Sequence, residues 1–236
     1  MMEIVEELAC GSDGRILAVG AVVRKEHHRA ATFHHAELRA LEAVRHESIV
    51  ALAGACLESL SLYLPRYDLD LCSALLAGRA DIDRDVVASS LLAALSFCHR
   101  SGLVHRDVKP ENVLMMLREP GAPAYALCDF ARSLEVPAGE EVEVVFCGTR
   151  AYGAPEALRG RFSGASDVFS AGCVLFAVAL RELPFEDDDL WSEEEVPPPL
   201  CGQVDEQHAR LLCALLRWDP AGRPTAEAAL SLLREA

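Results

Sequence analysis

The first part of the chain, through about Leu62, combines short apolar runs with one helical stretch. Residues 16–19 and 21–23 are β-like runs that Gly20 separates, a pattern that predicts a hairpin. A helical pattern follows over residues 33–44, where apolar side chains recur every three or four positions. These elements predict a small lobe that is rich in hairpins.

Helical periodicity dominates from about residue 70 onward, so the second lobe is expected to be larger and mainly helical. Asp167 precedes a long apolar stretch, and we expect it to cap the N terminus of a buried helix. Prolines and glycines at 119–123 and 197–199, and an acidic run at 186–195, predict solvated connections. One predicted helix has a buried face of Val86, Val87, Ser90, Leu91, Ala94, Leu95 and Cys98.

Composition and net charge argue for some classes of protein and of partner and against others. The chain has 236 residues, of which 51% are hydrophobic, enough for a sizeable core. Its formal net charge of −15 argues against a nucleic acid or a membrane as partner, because both would require a positive field. Nine cysteines without a C-x-x-C pair indicate a reducing compartment. The N terminus is acidic, and the longest apolar run is about half of a membrane span. We expect a soluble intracellular protein, cytoplasmic or nuclear.

Three short segments carry the candidate chemistry. They read HRDVKPEN at residues 105–112, DFA at 129–131 and APE at 154–156. Transfer of a γ-phosphate to a hydroxyl needs a carboxylate for the proton, a cation near the transferred group and ligands for magnesium. The first two segments contain each of these groups. In order and spacing, the three segments resemble the HRD, DFG and APE elements of eukaryotic protein kinases, and the KPEN form resembles the serine/threonine type.

This resemblance implies a fold, a reaction and its partners. The fold is α+β with two lobes: a small β-rich lobe at about 1–64, a hinge at about 65–67 and a mainly helical lobe at about 68–236. ATP and Mg²⁺ are the implied cofactors, and a serine or threonine hydroxyl of a protein is the implied acceptor. Because the chain is acidic, we expect a substrate that is basic around the acceptor.

The resemblance also implies roles for individual residues. Asp107 corresponds to the catalytic base and Lys109 to the cation on the γ-phosphate. Asn112 and Asp129 correspond to the magnesium ligands. Phe130 resembles the aromatic residue whose packing sets the active or inactive state.

Two downstream features extend the resemblance toward the C terminus. Thr149 lies where serine/threonine kinases orient the catalytic loop. Arg223 resembles the arginine that pairs with the APE glutamate, which predicts a buried ion pair between Glu156 and Arg223.

The small lobe matches the family less closely. Gly11 and Gly14 resemble the second and third glycines of the phosphate-covering loop, but Ala9 replaces the first. An ordinary turn would give the same pair of glycines. Leu64 resembles the gatekeeper at the start of the hinge. The other residues expected around the nucleotide are Ile16, Val23, Lys25, Tyr67, Leu114 and Asp129.

Glu37 lies on the apolar face of the predicted helix, and a buried acid needs a partner. The resemblance makes that partner the lysine of the third strand. Lys25 fits this position, but a shift by one residue would put Arg24 there instead. Only one of the two can face the nucleotide, because side chains alternate along a strand. Lys25 is favoured, and its connection to Glu37 is shorter than the family usually has.

Two irregular features concern activation. Ala131 stands where the family has a glycine, and we expect it to restrict the torsions of the DFA segment so that one conformation dominates. Between Leu134 and Gly148 there is no serine, threonine or tyrosine to carry a phosphate for Arg106. We therefore expect Glu143 to substitute for that phosphate and activity to be independent of phosphorylation. A solvated acidic loop is the alternative.

Two readings of the chain remain open. A metal site is one interpretation of the pairs His27-His28 and His34-His35. Because neither pair has further ligands at a metal-binding spacing, we favour the alternative that they are exposed polar residues ahead of a helix. Ala9, Ala131 and the Arg24/Lys25 ambiguity also permit a pseudokinase, a nucleotide-binding scaffold that transfers little phosphate.

Overall fold

The chain forms a small sheet lobe and a larger helical lobe. The computed structural model describes residues 6–10, 14–27, 31–118, 120–186 and 204–234. Predictions for Gly11, for the prolines at 197–199 and for nearly all of the acidic run at 186–195 lie outside the described residues.

The small lobe is a five-stranded antiparallel sheet with one helix beside it. The order across the sheet is β1-β2-β3-β5-β4. The predicted hairpin is confirmed: β2 pairs with β3, and Gly20 forms its turn at a φ of 65°. The elements are β1 (Glu6–Cys10), β2 (Gly14–Val19), β3 (Val22–His27), α1 (Ala31–Ala43), β4 (Gly54–Cys56) and β5 (Ser61–Pro65).

The large lobe is mainly helical, as its periodicity predicts, and it also contains three small sheets. These sheets have the strand orders β6-β8-β9, β10-β7 and β11-β12. The helices are α2 (Leu71–Leu76), α3 (Arg84–Arg100), α4 (Pro155–Leu158), α5 (Gly164–Leu180), α6 (Glu206–Leu215) and α7 (Ala226–Arg234). The strands are β6 (Leu69–Asp70), β7 (Leu103–Val104), β8 (Val113–Met116), β9 (Ala124–Leu127), β10 (Leu134–Glu135), β11 (Val142–Glu143) and β12 (Arg161–Phe162).

Helix α5 forms the centre of the large lobe. It is buried on all sides over residues 166–178, as expected for a helix that is apolar all round. The prediction that Asp167 caps it is wrong. The Ser163 hydroxyl accepts the Ala165 N–H at 3.2 Å, and the Ser166 hydroxyl accepts the Ser163 N–H at 3.2 Å. Because this capping box starts the helix at Gly164, Asp167 lies within the first turns and is available for another contact.

Backbone hydrogen bonds join the segment after α1 to strand β9. Val50 donates to the Leu127 carbonyl at 2.9 Å, and Leu127 donates to the Ser48 carbonyl at 2.8 Å. Strand β9 leads directly to Asp129, and α1 carries Glu37, so these bonds fix two parts of the candidate site relative to each other. No helix of the described residues is both long and apolar enough to cross a bilayer.

Candidate active site

Strand β3 presents Lys25 to two carboxylates. The Lys25 Nζ lies 2.9 and 2.8 Å from the two carboxylate oxygens of Glu37 and 2.6 Å from Asp129 Oδ1. Arg24 faces the other side of the sheet, where it pairs with Glu26 and donates to the Ser61 hydroxyl at 3.2 Å. The alternation of side chains along β3 therefore puts Lys25, and not Arg24, at the cleft.

The ion pairs set the charge of this cluster. Burial alone would lower the pKa of Lys25, but Glu37 and Asp129 outweigh it and raise that pKa above its ordinary value. Burial alone would likewise raise the pKa of Asp129, but the charge of Lys25 lowers it. Lysine and aspartate therefore stay ionised together across the neutral range.

Asp129 follows β9 in a left-handed conformation with a φ of 64°. The Cys128 N–H donates to the Asn112 carbonyl at 2.9 Å, which keeps the Asp129 and Asn112 segments side by side. Phe130 is fully buried, and its ring centroid lies 4.7 Å from that of His105. The positive φ of this segment falls on Asp129, so Ala131 occupies its turn without the strain that a left-handed alanine would have.

Asp107 is the centre of a second polar cluster. The Thr149 hydroxyl donates to Asp107 Oδ1 at 3.0 Å, and Lys109 Nζ donates to Thr149 Oγ1 at 2.9 Å. The Asn112 amide donates to the Asp107 carbonyl at 2.7 Å. Arg132, which the sequence did not single out, brings its Nε to 3.7 Å from Asp107 Oδ2. The predicted residues of this segment thus converge on one carboxylate.

The buried Asp167 carboxylate anchors the backbone of the loop that carries Asp107. It accepts the backbone N–H of His105 at 2.7 Å and of Arg106 at 2.9 Å, and the His99 ring donates to it at 3.0 Å. Burial alone would raise the pKa of Asp167, but the hydrogen bond from His99 and its charge lower it. A charged anchor in helix α5 therefore fixes the backbone that presents Asp107.

The expected ion pair between Glu143 and Arg106 is absent from the described residues. The Arg106 guanidinium donates to the Val145 carbonyl at 3.0 Å and lies 4.4 Å from the centroid of the Phe162 ring. Glu143 is exposed and is held opposite Arg161 by the pairing of β11 with β12. Strand pairing therefore turns this glutamate away from Arg106, and the prediction is wrong.

The residues expected around the nucleotide come from the five-stranded sheet, from strand β8 and from the segment between β5 and β6. Val23 lies opposite Leu64, which is buried, and Ile16 lies opposite Lys25. Leu114 and Tyr67 are partly buried and pack against the main core. Burial raises the pKa of Tyr67, so its hydroxyl stays protonated.

Gly14 has a structural reason to be glycine. A Cβ at this position would lie 1.9 Å from the Glu26 carbonyl oxygen on the adjacent strand. The close approach of β3 therefore explains this glycine without any ligand.

Two histidines, His27 and His34, differ from the expectation that the residues ahead of and in α1 are exposed, and His28 lies outside the described residues. His34 is fully buried, and the His27 side chain is 1% exposed, whereas His35 is exposed. His27 Nε2 lies 2.8 Å from Glu37 Oε2. The signal in the sequence is the spacing of two between Lys25 and His27, which puts both on one face of a strand. The described residues include no group of three or more side chains that could hold a metal ion.

Comparisons with a family model and with individual proteins point to the same family. Residues 5–232 match the protein kinase domain family. The chain is 32% identical over 228 residues to the serine/threonine-protein kinase zyg-8 of Caenorhabditis elegans, covering 90% of this chain and 28% of that protein. It is 31% identical over 209 residues to the calcium/calmodulin-dependent protein kinase type II alpha chain of Drosophila melanogaster, covering 82% and 39%. The chain thus spans between about a quarter and two fifths of the length of these relatives.

Proposed function

This chain belongs to the protein kinase family, and we propose that it transfers the γ-phosphate of ATP to a serine or threonine hydroxyl of a protein. The observation that carries the proposal is the cluster in which Lys25 Nζ contacts both Glu37 and Asp129. A buried lysine between two acids from different elements is costly to assemble unless its charge is used. The two relatives named above support this class of reaction, since one is called a serine/threonine-protein kinase and the other a calcium/calmodulin-dependent protein kinase.

The donor atoms of the site fit ATP and Mg²⁺. Asp129 and Asn112 offer carboxylate and amide oxygens, the hard ligands that Mg²⁺ prefers. The Asn112 amide nitrogen is engaged by the Asp107 carbonyl, which leaves its Oδ1 as the ligand atom. Magnesium held there would neutralise charge on the β- and γ-phosphates.

The residues of the chain then have separable tasks. The Asp107 carboxylate orients the acceptor hydroxyl and takes its proton, and Thr149 holds that carboxylate through Oδ1. Lys109 supplies positive charge beside Asp107, at 3.5 Å from its Oδ2. Lys25 holds the phosphates, and Glu37 holds Lys25 in position.

We also propose that the enzyme is active without phosphorylation of the segment between Leu134 and Gly148. That segment has no hydroxyl side chain. Arg106 is instead engaged by the Val145 carbonyl and the Phe162 ring. These contacts do not need an added charge, and the pair between Lys25 and Glu37 is formed alongside them.

The proposal extends to the class of substrate and to the cellular compartment of the protein. An exposed Glu111 in the catalytic segment and the net charge of −15 favour a protein substrate that is basic around the acceptor, with neither a nucleic acid nor a membrane as partner. All cysteines of the described residues are unpaired, which supports a reducing intracellular compartment, cytoplasmic or nuclear.

The test is transfer of labelled γ-phosphate from Mg-ATP to a generic basic protein, with Asp107→Asn as the matched variant. Loss of the base should lower the rate by about 10²- to 10⁴-fold while the fold is kept. Equal rates in the two proteins would contradict the assignment of Asp107.

A nucleotide-binding scaffold is the second candidate, and one observation favours it. Lys25 bonds directly to Asp129 Oδ1, an oxygen that the metal would need. If ATP raises the melting temperature of the wild-type protein but no phosphate is transferred, the scaffold is the better description.

A further inference from the structure

Glu37 has a second buried partner besides Lys25. The Nε2 of His27 lies 2.8 Å from Glu37 Oε2, and the two side chains are 1% and 0% exposed. We propose that His27 is a positioning residue, which holds the Glu37 carboxylate in the orientation that binds Lys25. This inference rests on the proposed function, because it gives a role to the same phosphate-binding lysine.

The geometry of strand β3 makes this arrangement possible. Alternate residues of a strand point to the same face, so Lys25 and His27 both face helix α1 at a separation of about 7 Å. Glu26, between them, faces the opposite side and pairs with Arg15 at 2.5 Å. The His27 N–H donates to the Leu60 carbonyl at 3.1 Å, which ties the end of β3 to the turn before β5.

The hydrogen-bond chemistry fixes the direction of the contact. A carboxylate only accepts hydrogen bonds, so the His27 ring must donate from Nε2. Its other nitrogen, Nδ1, lies 3.4 Å from the Leu60 carbonyl oxygen, which also only accepts, so Nδ1 donates to it when the ring carries its second proton. The ring of His34, in α1, meets the His27 ring edge-on with centroids 5.4 Å apart. Backbone on one side and a buried ring on the other therefore hold the imidazole in place.

Two hydrogen-bond donors on one strand, Lys25 and His27, restrict the orientation of the Glu37 carboxylate more than a single donor would. Lys25 Nζ reaches both carboxylate oxygens, and it also has Asp129 as an alternative partner at 2.6 Å. Without His27, Glu37 could turn away while Lys25 keeps Asp129. A hydrogen bond to a charged group is strong enough to shift such an equilibrium by roughly 10- to 100-fold.

The connection between β3 and α1 is short. Only residues 28–30 separate His27 from the start of the helix at Ala31. The contact with Glu37 joins the last residue of the strand to the second turn of the helix. It thereby fixes α1 against the sheet at the point where Glu37 must reach Lys25.

Three variants test the role. His27→Leu removes the donor, His27→Gln keeps an N–H donor on a side chain of similar reach, and His35→Leu removes an exposed histidine of α1 as a control. We expect His27→Leu to lower kcat by roughly 10-fold or more with the KM for the protein substrate unchanged. His27→Gln should recover most of the loss, and His35→Leu should match the wild type. Equal rates in folded His27→Leu and wild type would overturn the proposal, as would the absence of rescue by glutamine or an equal loss in His35→Leu.

A spectroscopic test on the wild-type protein does not depend on catalysis or on the folding of a variant. Nitrogen-15 spectra of the histidine side chains should show that His27 carries a slowly exchanging proton on Nε2. An Nε2 without a proton would overturn the proposal. If the wild-type protein transfers no phosphate, the proposed function fails, and this spectrum still decides whether His27 donates to Glu37.

Discussion

Glu156 in the large lobe and Glu37 in the small lobe are both buried and paired with a cation, and the surroundings of these two pairs differ. In the large lobe, Glu156 accepts from Arg223 at 2.6 and 2.9 Å, and both side chains are buried. In the small lobe, Glu37 accepts from Lys25 at similar distances. The chemistry is alike, but only the second pair faces the cleft.

The surroundings determine whether a pair can change partners. The remaining donors of Arg223 go to fixed backbone oxygens, those of Arg217, Ala165 and Trp218, at 2.6 to 3.0 Å. Lys25 instead shares its charge between carboxylates on two different elements. A cation enclosed by backbone carbonyls serves the scaffold, whereas a cation shared between side chains can be redirected to a ligand.

The largest expected effect on stability comes from breaking the large-lobe pair. Glu156→Gln leaves Arg223 charged and buried without its counterion, so the free energy of unfolding should fall by about 3–5 kcal/mol. Chemical denaturation measures this loss. Glu206→Gln is the control, because it breaks an exposed pair with Arg210 and should lower the free energy by only about 0.5 kcal/mol or less. Similar losses in both variants would contradict the distinction between the two kinds of pair.

A smaller effect is expected at Ala131, beside the small-lobe pair. Ala131→Gly should lower the free energy of unfolding by about 0.4–1 kcal/mol, because glycine gains freedom in the unfolded chain. It should also speed conformational exchange of the segment that carries Asp129, and with it change turnover. Relaxation-dispersion spectra measure the exchange. Ala126→Gly, in strand β9, is the control: it should also lower the free energy of unfolding, but it should leave the conformational exchange of the Asp129 segment unchanged. Unchanged exchange and unchanged turnover in Ala131→Gly would contradict the idea that alanine restricts this segment.

The sequence predicted features that follow from periodicity and features that its resemblance to protein kinases implies. The order of the motifs led to the cluster around Asp107, and the pairing of Glu156 with Arg223 is confirmed. The two lobes and the central buried helix are also confirmed. Such features follow from periodicity and from motif positions, which a single sequence displays directly.

The errors arise mainly where a contact with a distant segment decides the position of a side chain. Asp167 does not cap its helix, because Ser163 already does and the catalytic loop takes the carboxylate. Glu143 does not reach Arg106, because β12 pairs with its strand. His27 is buried, because helix α1 packs over it. The contacts of Asp167 with residues 105 and 106 and of β11 with β12 join distant residues, whereas the cap by Ser163 and the spacing between Lys25 and His27 are local signals.

The most direct test of the central claim compares two adjacent residues of β3 that differ in the side of the sheet they face. Lys25→Met and Arg24→Met each remove one positive charge, and phosphate transfer from Mg-ATP is measured for both. Lys25→Met should lower the rate by about 10²- to 10³-fold, as for loss of one group that stabilises the transferring phosphate. Arg24→Met should stay close to the wild type. A larger or equal loss in Arg24→Met, or no transfer by the wild-type protein, would contradict the account.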